Sequence, residues 1–108
     1  MAKSIKVILI DPLEKTITKL SIESTLDAYY KLIDCEMIES VRPLSLQGGN
    51  SLYCDEEALL KDEEQPTFSI QGWGVIMGKA IVLRHNNEGE TVSTTYTVKD
   101  IESLVSFE

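Results

Sequence analysis

One histidine, two cysteines, two arginines and a crowded run of carboxylates are the side chains of this 108-residue chain with the means to do chemistry. His85 is the only histidine, so neither a metal-binding pair of imidazoles nor a second general base can be assembled around it. It sits where an apolar run meets a turn. It reads as an exposed, turn-flanking residue, because general-base catalysis requires a pocket and a nearby partner. Cys35 and Cys54 show neither CxxC nor Cys/His spacing. A nucleophilic thiol needs a depressed pKa, and the neighbours of Cys54, namely Asp55, Glu56 and Glu57, act in the opposite direction. Both cysteines therefore read as buried structural thiols.

Asp55, Glu56, Glu57, Asp62, Glu63 and Glu64 place six carboxylates within ten residues. A calcium loop requires Asp-x-Asp-x-Asp-Gly with a distal Glu, and that pattern is absent. Solvated charge around a short helical turn is the plain reading. Gly72-Trp73-Gly74 and Gly78 match neither a dinucleotide-binding nor a phosphate-loop spacing, and no helix start follows them to hold an anion. These glycines read as relieving a bulge or allowing a close backbone approach. Trp73 between two of them is either a lid on the core or an exposed anchor for a partner, a role in which Trp is over-represented. Arg42 and Arg84 are the only arginines, so an anionic ligand would depend on one of them.

The elements that must position these groups alternate between strands and short helices. Ile5 to Ile10 is a β-rich run stopped by Asp11-Pro12, and Lys15 to Ile22 returns as a second strand. Ser24 reads as a helix N-cap with Asp27 three residues on, and Leu26, Tyr29, Tyr30 and Ile33 share an apolar face. That helix should stop near Asp34 or Cys35. Ile38 to Leu46 is a further β-like run, and Pro43 within it argues for an edge or a bulge. Gln47 to Asn50 is a turn, Ser51 to Cys54 a strand, and Asp55 the cap of a helical turn reaching Leu60. Val75 to Arg84 is too apolar for a wet face and reads as one central strand, forming a hairpin through Asn86, Glu88 and Glu90. Thr97 to Asp100 carries a capping-box pattern for a C-terminal helix with Ile101, Leu104 and Val105 inward. The fold class that follows is α+β: a single domain over residues 1–108, mostly antiparallel sheet, with one main helix on a face and a short C-terminal helix.

Composition narrows the function classes. With 18 acidic against 10 basic residues the net charge is −8, a field that repels a phosphate backbone, so nucleic acid is not an expected partner. No apolar run is long enough to span a bilayer, and two unpaired cysteines with no leader segment suit a reducing, cytoplasmic setting. No cofactor and no metal are expected.

Several segments together resemble a family of small uncharacterised proteins from phages, plasmids and their bacterial hosts, defined only as a domain of unknown function. The opening strand followed by Pro12, the Leu26-x-x-x-Tyr30-x-x-Ile33 helix and the Ile38-x-x-Val41 pair carry the first half of the likeness. Tyr53-x-Asp55-Glu56-Glu57-x-Leu59-Leu60, Gly78-x-Ala80-x-Val82 and the acidic turn Asn87-Glu88-Gly89-Glu90 carry the second. The chain departs from the pattern at Glu63 to Thr67, where the family has Leu-Pro-x-Asn. The resemblance implies a compact α+β fold and a mobile-element setting, and it implies no activity. The expected function is a non-enzymatic protein–protein interaction module using Trp73, Tyr53, Arg84, Asp55, Glu56 and Glu57. The alternative is an oligomeric binder of a small metabolite or nucleotide, its pocket lined by Tyr29, Tyr30, Tyr53, Trp73 and Arg84.

Overall fold

The computed structural model describes residues 3–58 and 65–107. β1 (Ser4–Asp11) and β2 (Thr16–Glu23) form a fully registered hairpin, Ser4 opposite Glu23 and Asp11 opposite Thr16. The Asp11 carboxylate closes their turn by accepting from the Leu13 and Glu14 amides. Helix α1 (Leu26–Ile33) follows, capped by Thr25, whose hydroxyl accepts from the Ala28 amide. This corrects the expectation of Ser24 as cap: its hydroxyl is instead engaged with the Tyr29 phenol at 2.6 Å. Leu26, expected on the apolar face, is exposed, while Tyr29 and Ile33 are buried. The helix ends on Asp34 in the left-handed region, with φ 63°.

β3 (Ile38–Val41) and β4 (Asn50–Asp55) are paired, and Pro43 does follow an edge strand. β5 (Thr67–Ile70), absent from the sequence-based reading, forms a tight hairpin with β6 (Gly74–Met77). The expected single strand from Val75 to Arg84 is in fact two strands in two sheets. Gly78, with φ +80°, turns the chain between β6 and β7 (Ala80–His85). β8 (Thr91–Val92) continues β7 through the Asn86–Glu90 turn, whose Asn86 side-chain oxygen accepts from the Glu88 and Glu90 amides. α2 (Val98–Glu102) starts on the expected capping box between Thr97 and Asp100. It is shorter than expected, because Val105 opens β9 (Val105–Phe107), which pairs with β5.

The larger sheet runs β2-β1-β7-β4-β3, with β8 beside the far end of β7, and every pairing is antiparallel. The smaller sheet runs β6-β5-β9. β7 is central and apolar on both faces, as its composition demands, because each face meets a different layer. On one side Ile5, Val7, Ile81 and Leu83 pack under Tyr29 and Ile33 of α1. On the other, Ile8, Ile10, Leu52 and Val82 meet Phe68, Ile70 and Ile76 of the small sheet and Ile101 of α2. The result is three layers: helix, large sheet, small sheet. Asn50, buried at the start of β4, ties this stack to the loop before α2: it donates to the Gln47 carbonyl and the Thr95 hydroxyl and accepts from Thr94. No helix among the described residues is long and apolar enough to cross a membrane.

Candidate functional site

Strand β3 is an edge of the large sheet and β6 an edge of the small one. Between these edges opens a cleft of about 330 Å³. Val41, Cys54 and Ala58 form its floor, and Trp73, Val75 and Met77 its opposite wall. Glu39, Asp55 and Glu56 place carboxylates around it.

Trp73 reaches this cleft because of the β5–β6 loop. Ile70 stands opposite Gly74, leaving three residues to turn, and the Trp73 amide donates to the Ile70 carbonyl at 3.2 Å. The loop is docked rather than free: the Leu44 amide donates to the Gly72 carbonyl at 3.1 Å, and the Ser45 hydroxyl donates to the Gln71 carbonyl. A Cβ on Gly72 would lie 2.6 Å from the Ser45 nitrogen, so the close approach anticipated for this glycine is made against the Leu44–Ser45 loop. Trp73 is 52 % exposed and Val75 60 %, so about half of the indole surface faces solvent and half is covered. Large apolar side chains held this open are what a partner-binding surface requires.

At the bottom of the cleft Cys54 is buried, and burial pushes its thiol up to about 12, helped by the negative charges of Glu39 and Asp55. It is a neutral, apolar group at physiological pH, not a nucleophile. Its Sγ–H points at the Glu39 carbonyl at 3.7 Å. Asp55 ends β4, and its carboxylate accepts from the Glu57 amide at 2.9 Å, capping the turn that follows. Leu59 and Leu60 of the expected helical turn, and Asp62, Glu63 and Glu64 of the acidic run, lie outside the described residues.

Of the anticipated site residues, Trp73, Asp55 and Glu56 meet in the cleft. Glu57 does not line it. Tyr53 and Arg84 lie elsewhere: alternation along β4 sends Tyr53 to the face opposite the cleft, and Arg84, paired with Asn50, is at the far end of β7 from the Cys54–Ala80 pair. Arg84 donates its Nε–H to the Ser93 carbonyl at 3.1 Å. Tyr53 lies on the α1 side, its ring 5.3 Å from that of Tyr29 in an edge-on contact. The five-residue pocket of Tyr29, Tyr30, Tyr53, Trp73 and Arg84 is thus not formed. His85 also departs from expectation: it is half-buried, its Nε2 2.9 Å from the Tyr53 hydroxyl. Burial and the Arg42 charge hold its pKa below the ordinary value. Sequence reasoning did not identify Glu39, Val41, Val75 and Met77 as site residues. The available signal was Pro43, which marked the preceding strand as an edge with one side unpaired.

A second, smaller depression of about 120 Å³ is bordered by Asp11, Asp34, Asp55 and Lys79. No group of three or more His, Cys, Asp or Glu among the described residues is arranged to hold a metal ion. Comparison with known proteins finds a family model, described as a domain of unknown function (DUF3846), that matches residues 5–106. No curated protein and no solved structure matches.

Proposed function

The chain belongs to the DUF3846 family of domains of unknown function, and we propose that it is a non-enzymatic binding module whose cleft receives an extended, basic and apolar segment of a partner protein. The observation that carries this reading is the pairing of a half-exposed Trp73 and Val75 with the carboxylates of Glu39, Asp55 and Glu56 around one cleft. Tryptophan contributes large contact area at little entropic cost and is enriched among binding hot spots. A guanidinium or ammonium group stacked on the indole while facing these carboxylates gains cation–π attraction and charge-assisted hydrogen bonds together. The net charge of −8 steers such a partner toward the domain. Among the described residues β3 pairs only with β4, so its other edge can accept an added strand, which favours an extended segment. The neutral Cys54 thiol and the aliphatic floor suit an apolar side chain inserted between two basic ones. In the mobile-element setting implied by the sequence resemblance, the partner is a host protein.

Because Trp73 is the only tryptophan, its emission reads the cleft directly. The test is titration with the peptide acetyl-Lys-Val-Arg-Val-Lys-amide against its Glu-Val-Glu-Val-Glu counterpart. The expected result is a saturable blue shift with the basic peptide alone, weakened about tenfold or more in Glu39→Lys/Glu56→Lys. An equal response to both peptides, or none to either at millimolar concentration, refutes the reading.

A further inference from the structure

The face of the large sheet beneath α1 is apolar across Ile5, Val7, Ile81 and Leu83, but polar groups collect at one corner of it. There the Tyr53 hydroxyl meets His85 Nε2 at 2.9 Å, with Thr91 paired across from His85. Ser51 lies two residues before Tyr53 on the same face, opposite Leu83, and His85 is bonded through its amide to the Gly49 carbonyl just beyond. The Tyr53 phenol therefore spans the ground above Ser51 and Leu83 on its way to the imidazole. Arg42 follows Val41, whose partner is Leu52, and so comes level with Ser51 on the neighbouring strand.

Two features of this corner are left uncompensated. The Ser51 hydroxyl is fully enclosed and has no hydrogen-bond partner among the described residues, a condition that costs about 1–3 kcal/mol. Arg42 makes neither a hydrogen bond nor an ion pair with any described residue. Its charge faces an imidazole instead of a carboxylate and, after burial, adds to what disfavours the charged form of His85. Glu90, the acid beside Thr91, is engaged by Lys3 and Asn86. In a chain of net charge −8, a corner that gathers two basic groups with hydroxyls, and no free acid among these described residues, is the reverse of its surroundings.

We propose that this corner binds a small oxyanion, the phosphate or carboxylate group of a ligand, gripped by Arg42 and His85 with Tyr53 and Ser51 as hydroxyl donors. A guanidinium fork and an imidazolium supply the charge, and the buried serine gains the acceptor it lacks. Entry shifts the Tyr53 phenol off its present line to His85. The site is on the opposite face of the large sheet from the Trp73 cleft, so the two stand or fall separately.

The sole histidine makes the test direct, because its Cε1–H resonance is unambiguous. Inorganic phosphate, and acetate in a parallel series, are titrated against the full chain at constant ionic strength. The expected result is a saturable shift of the His85 signal with a rise in its pKa. Affinity should fall about tenfold or more in Arg42→Gln, an exposed position, and severalfold in Ser51→Ala. Saturation by phosphate alone identifies a tetrahedral group; saturation by acetate extends the site to carboxylates. A linear drift equal to that with chloride, or a saturable response undiminished in Arg42→Gln, overturns the proposal.

Discussion

Replacing Gly72 and Gly78 separately by alanine isolates the contact that aims Trp73 into its cleft. Both glycines have left-handed backbones, φ +83° and +80°. A Cβ on Gly78 meets nothing within 4 Å, whereas one on Gly72 would sit 2.6 Å from the Ser45 nitrogen and 2.8 Å from that of Leu44. The conformational cost is therefore shared and the steric cost is not. For Gly78→Ala, a left-handed alanine costs about 1–2 kcal/mol, offset by about 0.4–1 kcal/mol from restricting the unfolded chain. The net is about 1 kcal/mol, or a fall in Tm of about 4–8 °C for a domain of this size. For Gly72→Ala, ordinary contact begins near 3.4 Å, so the facing backbone must retreat by about 0.8 Å. That retreat breaks the Leu44 N–H to Gly72 carbonyl bond and loosens the Ser45 hydroxyl bond to Gln71, each worth about 1 kcal/mol. The total is about 3 kcal/mol, with a Tm drop of about 12–24 °C. Thermal unfolding followed by circular dichroism measures both variants, and Trp73 emission reports whether the loop has left its seat. Equal losses for the two, with unchanged emission, would show that the docked loop does not hold the indole and would refute the reasoning.

Three further outcomes concern the thiols and the imidazole. Cys54 keeps its proton to about pH 12 in the folded chain, while an unfolded thiol ionises above about 9, so that stability is fully present below pH 9 and declines as pH rises between the two values. In the same chain iodoacetamide at pH 8 should alkylate the half-buried Cys35 first and reach Cys54 only on unfolding, as resolved by mass spectrometry of the modified peptides. His85 has a folded pKa below its unfolded value, so its contribution is present above about pH 6.5 and is lost as pH falls through that value. Urea midpoints at pH 7.5 and 5.5 should therefore differ less in His85→Gln than in the natural chain, and an unchanged difference would count against a half-buried neutral imidazole.

Features set by neighbours within four residues were legible in the chain itself. The Thr97–Asp100 capping box, the Asp11 turn, the Asn86 turn and the end of α1 near Asp34 all form as read, because donor and acceptor are close along the backbone. Features set by distant partners were not. Ser24 and Thr25 are both good caps, and only the Tyr29 phenol, which occupies Ser24, decides between them. The run from Val75 to Arg84 is apolar throughout because two different sheets need apolar strands, and composition does not say that Gly78 divides them. Thr67 to Ile70 does alternate polar and apolar, but over only four residues after the acidic stretch, too short a run to stand out. At the candidate site, Trp73 and the acids Asp55 and Glu56 were legible as residue types. Their convergence with Glu39, Val41 and Val75 required knowing which two strand edges face one another. His85 was misplaced for the same reason: its partner Tyr53 is 32 residues away.

The central place of β7 has a consequence for the order in which the molecule can assemble. β1 and β2 can close as a local hairpin, and β3 and β4 can pair, while the chain is still being made. Among the described residues these half-sheets are hydrogen-bonded together through β7, which pairs with both and comes later in the chain than all four. Until it emerges, the inner edges of β1 and β4 stand open with Ile8, Ile10, Leu52 and Cys54 beside them, an invitation to mispairing. Folding is then gated by a late, long-range insertion, the kind of step that sets a slow rate. A nascent chain halted before Ala80 would carry two half-sheets with the strand that joins them still missing.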